Sequence, residues 1–109
     1  MVNFKTEDLV ARAKEIAPKG VEVAYDPIGG PLALAATRLM AWHGRYLIIG
    51  FASGEIPSFP AHHALIKGYS LIGVRAGAAA RRAPASLGPC MRQLCAWAEQ
   101  DMVPPPVSA

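Results

Sequence analysis

The side chains of this 109-residue sequence that could do chemistry are few, and their spacing rules out most of what they might do. His62 and His63 are adjacent, so their rings diverge on a helix or a strand. A helical metal pair needs i, i+4 spacing. His43 stands just before Gly44, at the expected end of a helix, where an imidazolium suits the dipole. Cys90 and Cys95 are five apart in an expected helix, whereas facing neighbours are three or four apart. They are expected as buried free thiols rather than a disulfide or a metal pair. Asp26, before Pro27, is expected to bond the amides of its own turn. No Ser-His-Asp or Cys-His set can be assembled, so no catalytic residue and no metal ligand is assigned. What remains is backbone chemistry. Gly29-Gly30 and Gly50-Phe51-Ala52-Ser53-Gly54 are small-residue loops that admit close approach, and free N–H groups there could orient an amide.

These loops must hang from strands. Tyr46-Leu47-Ile48-Ile49 is a continuous apolar run closed by Gly50, the pattern of a strand buried on both faces of a parallel sheet. Open α/β sheets place ligands at the carboxyl ends of such strands. Val21–Asp26 and Ser70–Val74 read as flanking strands, with Gly73 marking a weak point or a close backbone approach. Helices are expected near 6–17, 31–42 and 86–101. Thr6 is the expected N-cap of the first, and Pro18 and Gly20 end it. Pro31 opens the second, whose stripe is Leu32, Ala35, Ala36, Leu39 and Met40, with Gly44 as its C-cap. Pro60–Lys67 is expected as one or two helical turns stopped by Gly68, and 77–80 as a flexible link. Leu87, Met91, Leu94, Cys95 and Ala98 stripe the last helix, with Pro89 in its first turn.

The rhythm of strand and helix implies parallel strands joined by crossovers. The expected fold class is α/β: half of a doubly wound, Rossmann-like parallel sheet of about three strands with helices on both faces. Residues 1–103 form this partial domain, and 104–109 a Pro-rich tail running as polyproline II. One domain is all that 109 residues allow. The composition is 52% hydrophobic and 17% charged, apolar enough to suggest burial in an oligomer interface. The net charge of +3 lacks the dense basic patch of a nucleic-acid binder, and Arg81-Arg82 is expected as a solvated helix entrance. No apolar run approaches a membrane span and the N-terminus lacks a signal peptide's apolar core, so a cytoplasmic location is expected.

The segments VEVAYDPIGG at Val21–Gly30, RYLIIGFASGEIP from Arg45, and SLIGV from Ser70 together resemble the quinone oxidoreductase branch of the medium-chain dehydrogenases and reductases. The resemblance runs over nearly the whole chain and maps onto the second half of the nucleotide-binding domain, strands 4, 5 and 6 of the order 3-2-1-4-5-6. It implies NADP as cofactor. It places Ile28 and Gly29 near the nicotinamide, and the backbone of Gly50, Phe51, Ala52 and Ser53 at its amide group. For Gly29 and Gly30 the plain alternative is a strand-to-helix turn, and for Gly50, Phe51, Ala52 and Ser53 a strand end whose donors are bound to water. The sequence holds no G-x-G-x-x-G for the pyrophosphate and no substrate-binding domain, so NADP is not expected to bind this chain alone. Arg75-Ala76 replaces the aromatic residues the family often shows after the third strand. Three functions stay open: a catalytically incomplete structural or interaction module, a nucleotide or small-ligand binding domain, and a reductase completed by a partner chain. The resemblance also implies a homodimer paired through the edge Ser70, Leu71, Ile72, Gly73 and Val74.

Overall fold

Thr37 decides where the second helix stops and so where the central strand begins. The computed structural model describes residues 2–103. In it the Thr37 hydroxyl donates back to the Leu34 carbonyl at 2.8 Å, and Arg38 and Leu39 close tight turns on Ala35 and Ala36. A hydroxyl bonded back along its own helix weakens the next turn. The helix expected to reach residue 42 therefore ends at Thr37, as α2 (Gly30–Thr37), after α1 (Leu9–Ile16) and β1 (Val21–Asp26). The chain turns directly into β2 (Met40–Ile48), six residues before the apolar run at Tyr46 begins. Gly44 is thus no helix cap. It lies in a bulge of β2: Met40 pairs with Val21, Arg45 with Val23, and residues 41–44 loop out between them. His43 takes a φ of 59° there and donates its N–H to Gly68 O at 3.0 Å. A Cβ on Gly44 would sit 2.9 Å from Ala41 O and 2.8 Å from the Met40 methyl, so the bulge needs glycine.

Beyond β2 come α3 (Ala61–Lys67), stopped by left-handed Gly68 as expected, and β3 (Ser70–Gly73). The sheet is parallel throughout, in the order β1-β2-β3, with Arg45 to Ile48 pairing in turn with Ser70 to Gly73. This is the expected α/β class, a parallel sheet flanked by helices. Register sets the core: Ala24, Tyr46 and Leu71 stand side by side, and Tyr46, Met40, Tyr69 and Ala33 are buried together. Ala36 and Ala64, from α2 and α3, pack against them. The neighbouring register positions Val23, Tyr25 and Ile72 stay exposed. Nothing lies within 4 Å of a Cβ built on Gly73, so no backbone approaches it closely. The start of the chain also departs from expectation. Asp8, not Thr6, caps α1, bonding Ala11 N at 2.9 Å, while Thr6 sits in a turn closed on Asn3.

Residues to Val74 form one compact unit, and Arg75 opens a second. Within the second, the expected flexible link is a helix, α4 (Ala76–Arg82), which its run of alanines favours. Arg81 and Arg82 lie in its last turn, where the dipole favours cations, rather than at a helix entrance. A 3₁₀ turn (Pro84–Ser86) leads into α5 (Leu87–Glu99), with Pro89 in the first turn. Cys90 and Cys95 are both free and exposed, which corrects the expectation of buried thiols. Leu87, Met91, Leu94 and Trp97 of α5 are also largely exposed. The expected polyproline tail at 104–109 lies outside the described residues.

Candidate functional site

Asp26 ends β1 and organises everything at that end of the sheet. Its Oδ1 accepts the N–H groups of Ile28 (2.8 Å) and Gly29 (2.9 Å), the turn bonding expected of it. Its Oδ2 accepts the hydroxyl of Tyr46 at 2.7 Å. Its backbone carbonyl receives Ile49 N at 2.9 Å and Gly50 N at 3.3 Å. Burial by itself would raise this carboxyl. The bonds from Gly29, Tyr46 and Ile28 outweigh it and hold Asp26 below the usual carboxylate range. Tyr46 is fully buried, and burial together with the Asp26 bond pushes its phenol well above the ordinary range. Neither group is therefore set up to exchange protons near neutrality.

The two loops are zipped together along their length. Ala52 N donates to Pro27 O and Ser53 N to Ile28 O, both at 3.0 Å, and Gly30 N donates to Glu55 O at 3.0 Å. Sequence reasoning brought Ile28, Gly29, Gly50, Phe51, Ala52 and Ser53 forward as one site, and the structure brings all six together. It corrects the chemistry assigned to them. The N–H groups of Gly50, Ala52 and Ser53 are not free, because the first loop's carbonyls take them. Among the described residues Phe51 alone of these four has an N–H with no partner. Gly29 takes φ 74° and ψ −153°, and a Cβ on it would lie 2.9 Å from both Glu55 O and the Phe51 ring. Gly50 is looser: a Cβ there would meet only Pro27 O, at 3.5 Å. The rim is apolar, with Ile28 and Phe51 both partly exposed.

Tyr46 is the participant that the sequence reading passed over as one more apolar residue of the strand. A phenol inside a buried run needs a partner for its hydroxyl, and that requirement was the available signal. The histidines do not join the site. His43 sits in the β2 bulge, and the His62 and His63 rings meet edge to face at 4.6 Å. His63 Nδ1 lies 3.5 Å from Thr37 Oγ1. Among the described residues no group of three or more His, Cys, Asp or Glu side chains could hold a metal ion.

The two loops therefore lie bonded side by side at the carboxyl ends of β1 and β2. A family model described as zinc-binding dehydrogenase matches residues 1–91. The chain belongs to that family. Within it, the chain falls in the quinone oxidoreductase branch of the medium-chain dehydrogenases and reductases. It is 32% identical over 109 residues to mouse (Mus musculus) quinone oxidoreductase-like protein 2, which covers 99% of this chain. The chain spans about 31% of that relative's length. Among solved structures, an Escherichia coli quinone oxidoreductase complexed with NADPH is 31% identical, with a TM-score of 0.57 over 68% of this chain and 23% of its own. A Bacillus thuringiensis protein named as a candidate NADPH:quinone reductase matches in fold with a TM-score of 0.81 over 94% of this chain and 31% of its own, at 21% identity. The family's name carries zinc, but the donor sets among the described residues do not fit a zinc site.

Proposed function

We propose that these residues form the nicotinamide end of an NADP site in a cytoplasmic quinone oxidoreductase-like protein, and that this chain by itself is a catalytically incomplete, homo-oligomeric structural module. The observation that carries the reading is the unspent Phe51 N–H on a loop otherwise fully bonded. A rigid loop presenting one donor beside the open surface of Gly50 fits a carboxamide oxygen. The Asp26–Tyr46 bond holds that loop in place. NADP, when bound, supplies the hydride. Ile28 and Phe51 supply apolar contact for the ring and exclude water beside it. The glycine-rich turn that would cradle the diphosphate is not among these 109 residues, so affinity of the isolated chain is low. One feature supports completion by further strands as the second reading. β1 is an edge strand whose Val23 and Tyr25 are exposed, as a strand awaiting a neighbour would be.

The test is amide chemical-shift mapping of the full chain during titration with NADPH, beside a turnover assay with a quinone. Shifts confined to Ile28, Gly29 and Gly50–Ser53 at millimolar cofactor, without turnover, support the proposal. Sustained NADPH oxidation that is abolished by Gly50→Trp would overturn the incomplete-module reading. A folded chain with no response at Phe51 would remove the nicotinamide assignment.

A further inference from the structure

The opposite end of the sheet carries a cavity whose chemistry is unlike that of the zipped loops. Its walls come from the segments that lead into the three strands: Lys14, Lys19 and Gly20 before β1, Arg38 before β2, and Lys67 before β3. The volume is about 130 Å³. That compares with the ~150 Å³ of an engineered cavity able to hold a benzene-sized guest. Four cations line it and no carboxylate does. The ion pairs among the described residues are spent elsewhere, Glu7 and Glu15 both on Arg12.

The ordinary explanation is helix capping. The C-terminal ends of α1, α2 and α3 converge here, and Lys67 donates to the Arg38 carbonyl. A helix end carries about −0.5 of an elementary charge, less for helices as short as these. Three such ends offset roughly 1.5 charges at most, against four cations, so an excess of more than two positive charges is left in one concavity. Burial, and then repulsion from Lys14, lowers the pKa of Lys67. Gly20, at φ 88°, keeps the wall thin: a Cβ there would lie 2.7 Å from Leu39 O.

We propose that this cavity binds a small, multiply charged oxyanion of the phosphate or diphosphate class, at the end of the sheet remote from the nicotinamide loops. A tetrahedral oxyanion accepts several charge-assisted hydrogen bonds at once, and Lys14, Lys19, Arg38 and Lys67 all line this cavity. The cavity is too small for a dinucleotide, so only the phosphate portion of a larger ligand enters it.

The experiment is a titration of the full chain with sodium diphosphate, followed by amide shifts and thermal unfolding, against sodium chloride at matched ionic strength. Saturable shifts at Lys14, Gly20, Arg38 and Lys67 with a rise in Tm are expected for diphosphate, and a weak, unsaturable effect for chloride. The double variant Lys14→Gln, Arg38→Gln changes two exposed side chains, so the fold is kept. It should weaken diphosphate binding by at least about tenfold, as loss of two charge-assisted hydrogen bonds requires. Adenosine diphosphate in a parallel arm distinguishes the source: tighter binding than diphosphate means that the group arrives on a nucleotide, and equal binding means a free oxyanion. Equal responses to diphosphate and chloride, unchanged affinity in the double variant, or shifts centred on Gly50–Ser53 would each overturn the proposal.

Discussion

Replacing Tyr46 by Phe removes one oxygen atom and should cost far more than its size suggests. The Tyr46 ring is fully buried, and its hydroxyl donates to Asp26 Oδ2 at 2.7 Å. Asp26 is itself only 9% exposed, which leaves its Oδ2 little access to water once the phenol is gone. A hydrogen bond to a charged group contributes about 1.5–3 kcal/mol, and an acceptor left unpaired in the interior loses all of it. A loss near 2 kcal/mol in a domain of this size lowers Tm by about 10 °C. The pH dependence separates the bond from mere packing. The Asp26 carboxyl is depressed in the folded state, so its contribution is fully present above the unfolded carboxylate pKa of about 3.9 and is lost as pH falls through the lower folded value. Without the Tyr46 bond the folded pKa rises towards the unfolded one, and less stability is lost in acid. The Tm gap between wild type and Tyr46→Phe should therefore be widest near neutrality and narrow below about pH 4. Calorimetry of both proteins from pH 3 to pH 7 measures it. Equal Tm values, or a gap that does not change with pH, would refute the role given to this bond.

The same substitution at Tyr69 should go the other way. Among the described residues its buried hydroxyl has no hydrogen-bond partner, and the nearby Thr37 hydroxyl offsets part of the burial-driven rise in pKa without closing a bond. Tyr69→Phe should leave Tm unchanged or raise it by a few degrees, and a clear fall in a thermal melt would show a partner for that hydroxyl. Gly29→Ala forces a side chain into a conformation essentially reserved for glycine and against Glu55 O, so urea unfolding should show a loss of about 2 kcal/mol or more. Light scattering after size exclusion should give at least twice the 11.5 kDa chain mass, and Ile72→Lys, on the β3 edge, should reduce it to one. A folded wild-type monomer at micromolar concentration would remove the proposed self-association.

The β1 and β3 segments were legible because their signals are local. Val21–Asp26 is bounded by Gly20 and Pro27, and the left-handed stop at Gly68 fixes where β3 starts. The start of β2 was not legible. Met40 fits the apolar stripe of a helix as well as it fits a strand, and helix periodicity continues through it. What ends α2 is a hydroxyl bonding backwards from Thr37, together with the Leu39 carbonyl being taken by Val21 N at 2.7 Å. The first is a rotamer choice and the second a contact across the sheet, and neither is written in a window of ten residues. The link at 77–80 failed for a simpler reason: glycine beside three alanines reads as loose, but alanine has the highest helix propensity and prevails.

At the candidate site, which residues meet is legible in the sequence, but which atoms remain available is not. Two glycine-bearing loops after adjacent parallel strands must lie side by side, and that places Ile28 and Gly29 against Gly50–Ser53. Their pairing then uses up most of the donors that made them attractive. Backbone N–H groups in adjacent loops find each other before they find a ligand, because a buried donor left unmade costs about as much as any contact gains. Asp26 drives this, since one carboxylate and its own carbonyl together fix Ile28, Gly29, Ile49, Gly50 and Tyr46. The result is a loop in which, among the described residues, the Phe51 N–H alone of residues 50–53 has no partner. On the proposed reading such a loop orients an amide that other parts of a cofactor site hold. That division of labour is why the same geometry supports a nicotinamide assignment and predicts no turnover from this chain alone.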